Sequence, residues 1–191
     1  MKKFNGFESK IMSDFEMLPV GGYVCEIKNA EVVANRNGGE RMELSIDIAE
    51  GDQRGYYTNQ YKEDTREDKK WRGKFVLFLP KDDGTKEDGW AKNRFNNMVG
   101  CIEDANDGYH WDWDEKKLRG KKIALVFRRE EYMKADGTTG WTVKPFKVIT
   151  IGNCRDGKWG KYEDKPLPGS TSTSAPQFSE VSADPLDDLP F

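Results

Sequence analysis

The sequence predicts a mainly β fold: a small five-stranded barrel with a helix between its third and fourth strands, followed by a disordered C-terminal tail. Three observations carry this expectation. Apolar and polar residues alternate with period two in 21–33 and 41–51, helical spacing is confined to 86–106, and composition changes abruptly at 165.

The elements follow in order. "GGYVCEIKNAEVV" (21–33) sets Tyr23, Cys25 and Ile27 against Val24, Glu26 and Lys28, which reads as a strand after a Pro-x-Gly-Gly turn. "ANRNGGE" has strong turn chemistry. "RMELSIDIAEG" (41–51) puts Met42, Leu44, Ile46 and Ile48 on one face and Glu43, Ser45 and Asp47 on the other, completing a hairpin. "GYYTNQY" (55–61) reads as a third short strand, and "KEDTREDKKWRG" (62–73) as a surface helix or long loop. "KFVLFLP" (74–80) reads as a short buried strand ending at Pro80. In 86–106 the period changes, with Trp90, Phe95, Met98, Val99 and Ile102 near helical spacing. Two further strands, 121–133 and 140–151, flank the turn "KADGTTG". Hairpins around one intervening helix fit the oligonucleotide/oligosaccharide-binding (OB) barrel. The first 164 residues form this domain, and "KPLPGSTSTSAPQFSEVSADPLDDLPF" (165–191) is a linker and terminal peptide without periodicity.

Composition narrows the function classes. No apolar run approaches the ~20 residues of a membrane helix, and "MKKFNGFESK" lacks the apolar core of a secretory signal. Cys25, Cys101 and Cys154 are scattered and odd in number, which suggests reduced thiols in a cytoplasm. One His and three Cys do not assemble a zinc site, no phosphate-binding Gly-rich loop is present, and no cofactor is expected. The net charge of −3 resides in the tail, where Lys165 stands against Glu180, Asp184, Asp187 and Asp188. Residues 1–164 balance 30 basic against 30 acidic residues, so any nucleic-acid site must be a local basic patch.

Two constellations suggest binding. At the tail, Asp184, Asp187 and Asp188 precede Leu189, Pro190 and Phe191, an apolar tip that a partner's cation-rimmed pocket could bury. The bland alternative is a solubilising acidic tail, which leaves the terminal Pro-Phe without a purpose. In the body, "KKWRGK" joins Trp71 to Lys69, Lys70 and Arg72, the aromatic-plus-cation chemistry of single-strand binding. Arg36, Arg41, Arg54 and Tyr57 near the first hairpin, and Lys134 and Trp141 in the last, converge with it if the fold is an OB barrel. Core packing is the competing use of each aromatic. "YHWDWDE" (109–115) offers Asp112, Asp114, Glu115 and His110 to a metal-dependent nuclease, but its alternation suits an extended segment with Trp111 and Trp113 inward and the acids outward.

The ending "DPLDDLPF" is similar to the acidic, Pro-Phe-terminated tips of bacterial and phage single-stranded-DNA-binding proteins. The body resembles a family of small phage replication-module proteins through "FNGFESK", "LPVGGYVCEIKNAEV", "LSIDIAEGDQRGYY", "EDKKWRGKF", "LPKDDGTKEDGW", "GYHWDWDEKKLRGKKIALVFRREEY" and "GWTVKPFKVITI", in order across residues 4–151. That resemblance implies a non-enzymatic phage single-stranded-DNA-binding protein with an OB-like fold. It would work in the host cytoplasm during replication or recombination and recruit enzymes through its tip. Homo-oligomers are compatible with the sequence, and a protein–protein adaptor without DNA affinity is the alternative.

Overall fold

The structure, a computed structural model, describes residues 16–36 and 38–168. The terminal tip, with Asp184, Asp187, Asp188, Leu189, Pro190 and Phe191, lies outside the described residues.

Five antiparallel strands form one sheet in the order β3-β2-β1-β4-β5. They are β1 (Gly21–Ala34), β2 (Glu40–Ile48), β3 (Lys74–Phe78), β4 (Lys122–Met133) and β5 (Thr139–Ile149). Three helices accompany them: α1 (Tyr56–Glu63), α2 (Lys86–Ala105) and α3 (Ile151–Arg155), with a 3-10 turn at Glu115–Leu118. The alternation in β2 is realised, with Met42, Leu44, Ile46 and Ile48 all buried. They pack with Cys25 and Ile27 of β1, Phe75 and Leu77 of β3, Leu125 and Phe127 of β4, and Phe95, Met98 and Ile102 of α2. On the opposite sheet face α3 covers a smaller cluster of Val24, Ala124, Ile151 and Cys154. No helix among the described residues is long and apolar enough to cross a membrane.

Three sequence expectations are corrected. First, the sheet does not close into a barrel: β3 and β5 are its edges, and no backbone pairing joins them among the described residues. β5 is also irregular along its length. Pro145 in β5 has no N–H to offer, and opposite it β4 and β5 change register between Val126 and Phe127. Leu18 and Tyr57, both buried, line the cleft between the two edges.

Second, residues 55–61 are not a strand but open helix α1. Gly55 turns the chain at φ 76°, and buried Asp47 accepts from the Tyr57 backbone N–H at 3.0 Å and from the Thr58 hydroxyl. Third, β3 is half exposed rather than buried. Phe75 and Leu77 face the core while Lys74, Val76 and Phe78 face out.

The helix expected in 86–106 is present as α2, started by Thr85, whose hydroxyl accepts from the Asp88 N–H at 3.2 Å. Beyond Asp164 the described chain runs along β4. Lys165 pairs in parallel with Glu130, Lys165 N–H donates to Arg129 O at 2.9 Å, and Leu167 N–H donates to the Glu131 carboxylate at 3.0 Å. The β1–β4 ladder ends at Phe127, so the distal half of β4 has an unpaired edge for this segment to occupy.

Candidate nucleic-acid interface

Register places one outward row along the β3 edge of the sheet. Arg41, Glu43 and Ser45 of β2 stand opposite Phe78, Val76 and Lys74 of β3. Phe78 is 63% exposed and Val76 42%, so the row presents an uncovered ring and an aliphatic neighbour to solvent. Five strand residues span about 17 Å, the reach of a few nucleotides.

Cations stand at both ends of the row. At the Phe78 end, Arg36, Gly38, Gly39 and Lys81 line a surface pocket of about 360 Å³ together with Phe78. Gly39 adopts φ 81°. A Cβ there would lie 2.9 Å from Lys81 Cε, so the absent side chain makes room for the lysine stem. At the Lys74 end, Arg72, Lys74 and Val76 form one wall of a cleft of about 270 Å³, and Thr142, Lys144 and Pro145 of β5 form the other. Arg36, Lys70, Lys81 and Lys144 make no ion pair within 4.0 Å among the described residues.

Glu43 sits between the two ends. It holds Lys74 at 2.9 Å and Arg41 at 2.7 Å, and these hydrogen bonds, Lys74 foremost, keep its carboxyl below the usual range. Asn35 Oδ1 accepts from Arg41 at 2.7 Å. Arg41 is thus oriented and largely neutralised, whereas exposed Arg36 in the adjoining loop is not.

The expected site residues divide. Arg36 and Arg41 lie at the Phe78 end, and Lys69, Lys70 and Arg72 lie in the loop leading into Lys74. Lys69 Nζ sits 4.6 Å from the centre of the Tyr61 ring, and Arg72 approaches Asp64 only to 3.9 Å. Arg54 is exposed but follows the opposite end of β2 from Arg36, so it does not join that pocket. Tyr57 is 6% exposed, and burial pushes its hydroxyl pKa well up; it is a core residue with no face for a base.

Trp71 is half-buried and tied down. Its Nε1–H donates to Ile46 O and Gly73 O, each at 3.0 Å, so it braces the 64–73 loop rather than offering a free ring. Trp141 is half-buried with the Arg129 guanidinium 5.0 Å above it, and Lys134 is exposed at the β4–β5 tip. Lys144 is the cation of that hairpin that lines the cleft, beside Thr142 and Pro145.

Phe78, Val76 and Lys81 are contributors outside the expected set. The signal was present: in "KFVLFLP" a period of two groups Lys74, Val76 and Phe78 on one side, provided the strand has a solvent face.

In 109–115 the expected alternation fails at Trp113. Trp111 is half-buried, but Trp113 adopts φ 66° and is 79% exposed. The acids there are engaged: Asp112 pairs with Lys117, and Asp114 accepts from the Lys116 N–H at 3.1 Å. Among the described residues no group of three His, Cys, Asp or Glu side chains is gathered to hold a metal ion.

No family model matches this sequence, and no curated protein matches it.

Proposed function

We propose that the chain binds single-stranded DNA without sequence preference, coating it during phage replication or recombination. The observation that carries this reading is the outward row of β2 and β3. The exposed Phe78 ring shares a pocket with Arg36 and Lys81, and Lys144 lines the cleft at the other end of the row; none of these three cations makes an ion pair among the described residues. Bases stack on such rings irrespective of identity, and the cations take the phosphates. The charge-neutral body is no obstacle, because the cations are local.

The strand order supports an OB-like reading. An antiparallel sheet ordered β3-β2-β1-β4-β5, with a helix between β3 and β4, would become a five-stranded barrel if its two edges joined. In that fold the β2–β3 face and the first and last hairpin loops bind oligonucleotides. The resemblance to phage single-strand binders supplies the biological setting. It also supplies the second half of the proposal, that Asp184, Asp187, Asp188, Leu189, Pro190 and Phe191 recruit replication or recombination enzymes. The chain acts as a binder, not as an enzyme, in the host cytoplasm.

The test compares the full chain with a version ending at Ala183, each titrated with oligo-dT and then mixed with replication proteins. DNA binding by both, and recruitment by the full chain alone, support the proposal. Recruitment without DNA affinity in either version would make the chain an adaptor, and Mg²⁺-dependent loss of the oligonucleotide would make it a nuclease.

A further inference from the structure

The most exposed of the Phe, Trp and Tyr residues among the described residues lies outside the DNA-binding row. Trp113 belongs to the connection between α2 and the 3-10 turn, and its ring stacks at 17° on Phe95 of α2 with centroids 6.0 Å apart. Trp111 leans against both rings, 6.0 Å from Phe95 and 6.1 Å from Trp113. A left-handed backbone is costly for a bulky residue and is kept where surrounding structure imposes it, commonly at functional positions.

That imposition is visible on both sides. The Trp111 N–H donates to Glu103 at 2.8 Å, Asp112 is paired with Lys117, and Asp114 caps the following turn. The indole is therefore held out in solvent on a fixed base rather than left on a loose loop. A large ring presented in one orientation loses little conformational entropy on docking, which is how a single Trp comes to dominate an interface.

The charge of the chain flanking it in sequence selects the kind of partner. From Glu103 to Lys117 the chain carries six carboxylates (Glu103, Asp104, Asp107, Asp112, Asp114 and Glu115) against two lysines, a net of −4. Asp104, Asp107 and Glu115 make no ion pair among the described residues. Phosphates are repelled here, and Lys or Arg side chains are attracted.

We infer that Trp113 is the anchor of a second protein-docking surface, one that takes a cationic, apolar-anchored segment of another protein. Such a segment would cover the indole with an aliphatic side chain and set its Lys or Arg side chains on the free carboxylates. The surface shares no residue with the acidic tip or with the DNA-binding row, so the chain could hold DNA and this partner together.

The test uses the full-length protein carrying 5-fluorotryptophan, with the Trp113 resonance assigned by its loss in Trp113→Phe. The probes are a short alternating Lys/Leu peptide, its Glu/Leu counterpart and oligo-dT. The inference predicts that only the Lys/Leu peptide shifts the Trp113 resonance. It also predicts that Trp113→Ala weakens that binding about tenfold or more, within the usual effect of losing an anchor residue. Asp107→Asn combined with Glu115→Gln, both at non-core positions, should weaken it as well while leaving oligo-dT affinity nearly unchanged at moderate salt. An unmoved Trp113 resonance with the Lys/Leu peptide overturns the inference. So does a shift with oligo-dT, which would assign the ring to DNA, or conversion of a dimer to a monomer by Trp113→Ala, which would assign it to a second copy.

Discussion

Tyr57 donates its backbone N–H to the Asp47 carboxylate across 3.0 Å, so that a β2 side chain starts helix α1. The same carboxylate accepts from the Ile48 N–H at 2.9 Å and from the Thr58 hydroxyl. Asp47 is 4% exposed and is balanced by these donors rather than by a cation. Asp47→Ala removes the acceptor and strands two buried backbone N–H groups, at a cost of about 1–3 kcal/mol. Urea denaturation should show that loss, and Asp47→Asn, which keeps one acceptor oxygen, should recover part of it. Equal stability of all three proteins would show that α1 needs no such start.

The neighbouring loop depends on a close backbone approach. Gly73 O accepts from the Ile46 N–H at 2.8 Å, and a Cβ on Gly73 would sit 2.3 Å from Ile46 O and 2.6 Å from the Tyr57 ring. Backbone cannot yield as a side chain can, so Gly73→Ala should cost about 1–3 kcal/mol. Gly100→Ala is the contrasting case. It lies inside α2 with nothing within 4 Å of its Cβ position, and it should gain about 0.5–1 kcal/mol. Thermal melts of the two variants should therefore move in opposite directions.

These contacts explain why part of the site was hidden in the sequence. The hairpin of β1 and β2, helix α2 and the β4–β5 hairpin follow from periodicity alone, because each buries one regular face. Tyr57 and Trp71 could not be assigned that way. Each sits in a polar, turn-rich stretch and is recruited to the core by a partner distant in sequence, Asp47 through the backbone of Tyr57 and Ile46 O for the indole of Trp71. Phe78 errs in the opposite direction. Its apolar neighbours suggested burial, yet the strand is an edge, a fact about the sheet and not about the local sequence. Trp113 was hidden by a single backbone angle.

Acid should weaken one specific tie. Glu50 accepts from Arg155 at 2.9 and 3.1 Å and from Lys122 at 2.9 Å, joining the end of β2 to α3 and β4. The Arg155 hydrogen bond foremost, then Lys122, lowers its pKa from the ordinary 4.5 to about 2. A lowered folded-state pKa means that the stabilisation is fully present above 4.5 and is lost as pH falls from there through about 2. Because the carboxylate is partly solvated, Glu50→Gln should cost only about 1 kcal/mol at neutral pH. The difference from the parent protein should shrink below pH 4.5 and vanish near pH 2 in a series of denaturation curves. A gap that does not change with pH would mean that the ion pairs contribute nothing.

Stacking should depend on Phe78 and not on Trp71. Phe78→Ala removes a solvent-facing ring, so it should leave the melting temperature nearly unchanged and weaken oligo-dT binding by about 1–3 kcal/mol, the range for one stacked base. Trp71→Phe breaks two hydrogen bonds and should lower stability first. The reverse pattern, with DNA affinity following Trp71 alone, would move the interface to the 64–73 loop.

The most direct measurement is an oligo-dT titration of the full-length protein over a range of salt concentrations, read by intrinsic Trp fluorescence and by gel shift. Single-strand binding by the Arg36, Lys70, Lys81 and Lys144 cations predicts a binding constant that falls linearly with salt on logarithmic axes, with a slope of about −0.7 per phosphate neutralised. Charge removal at Arg36 and Lys81 should make that slope shallower. Absence of any fluorescence change or gel shift at low salt would contradict single-strand binding outright.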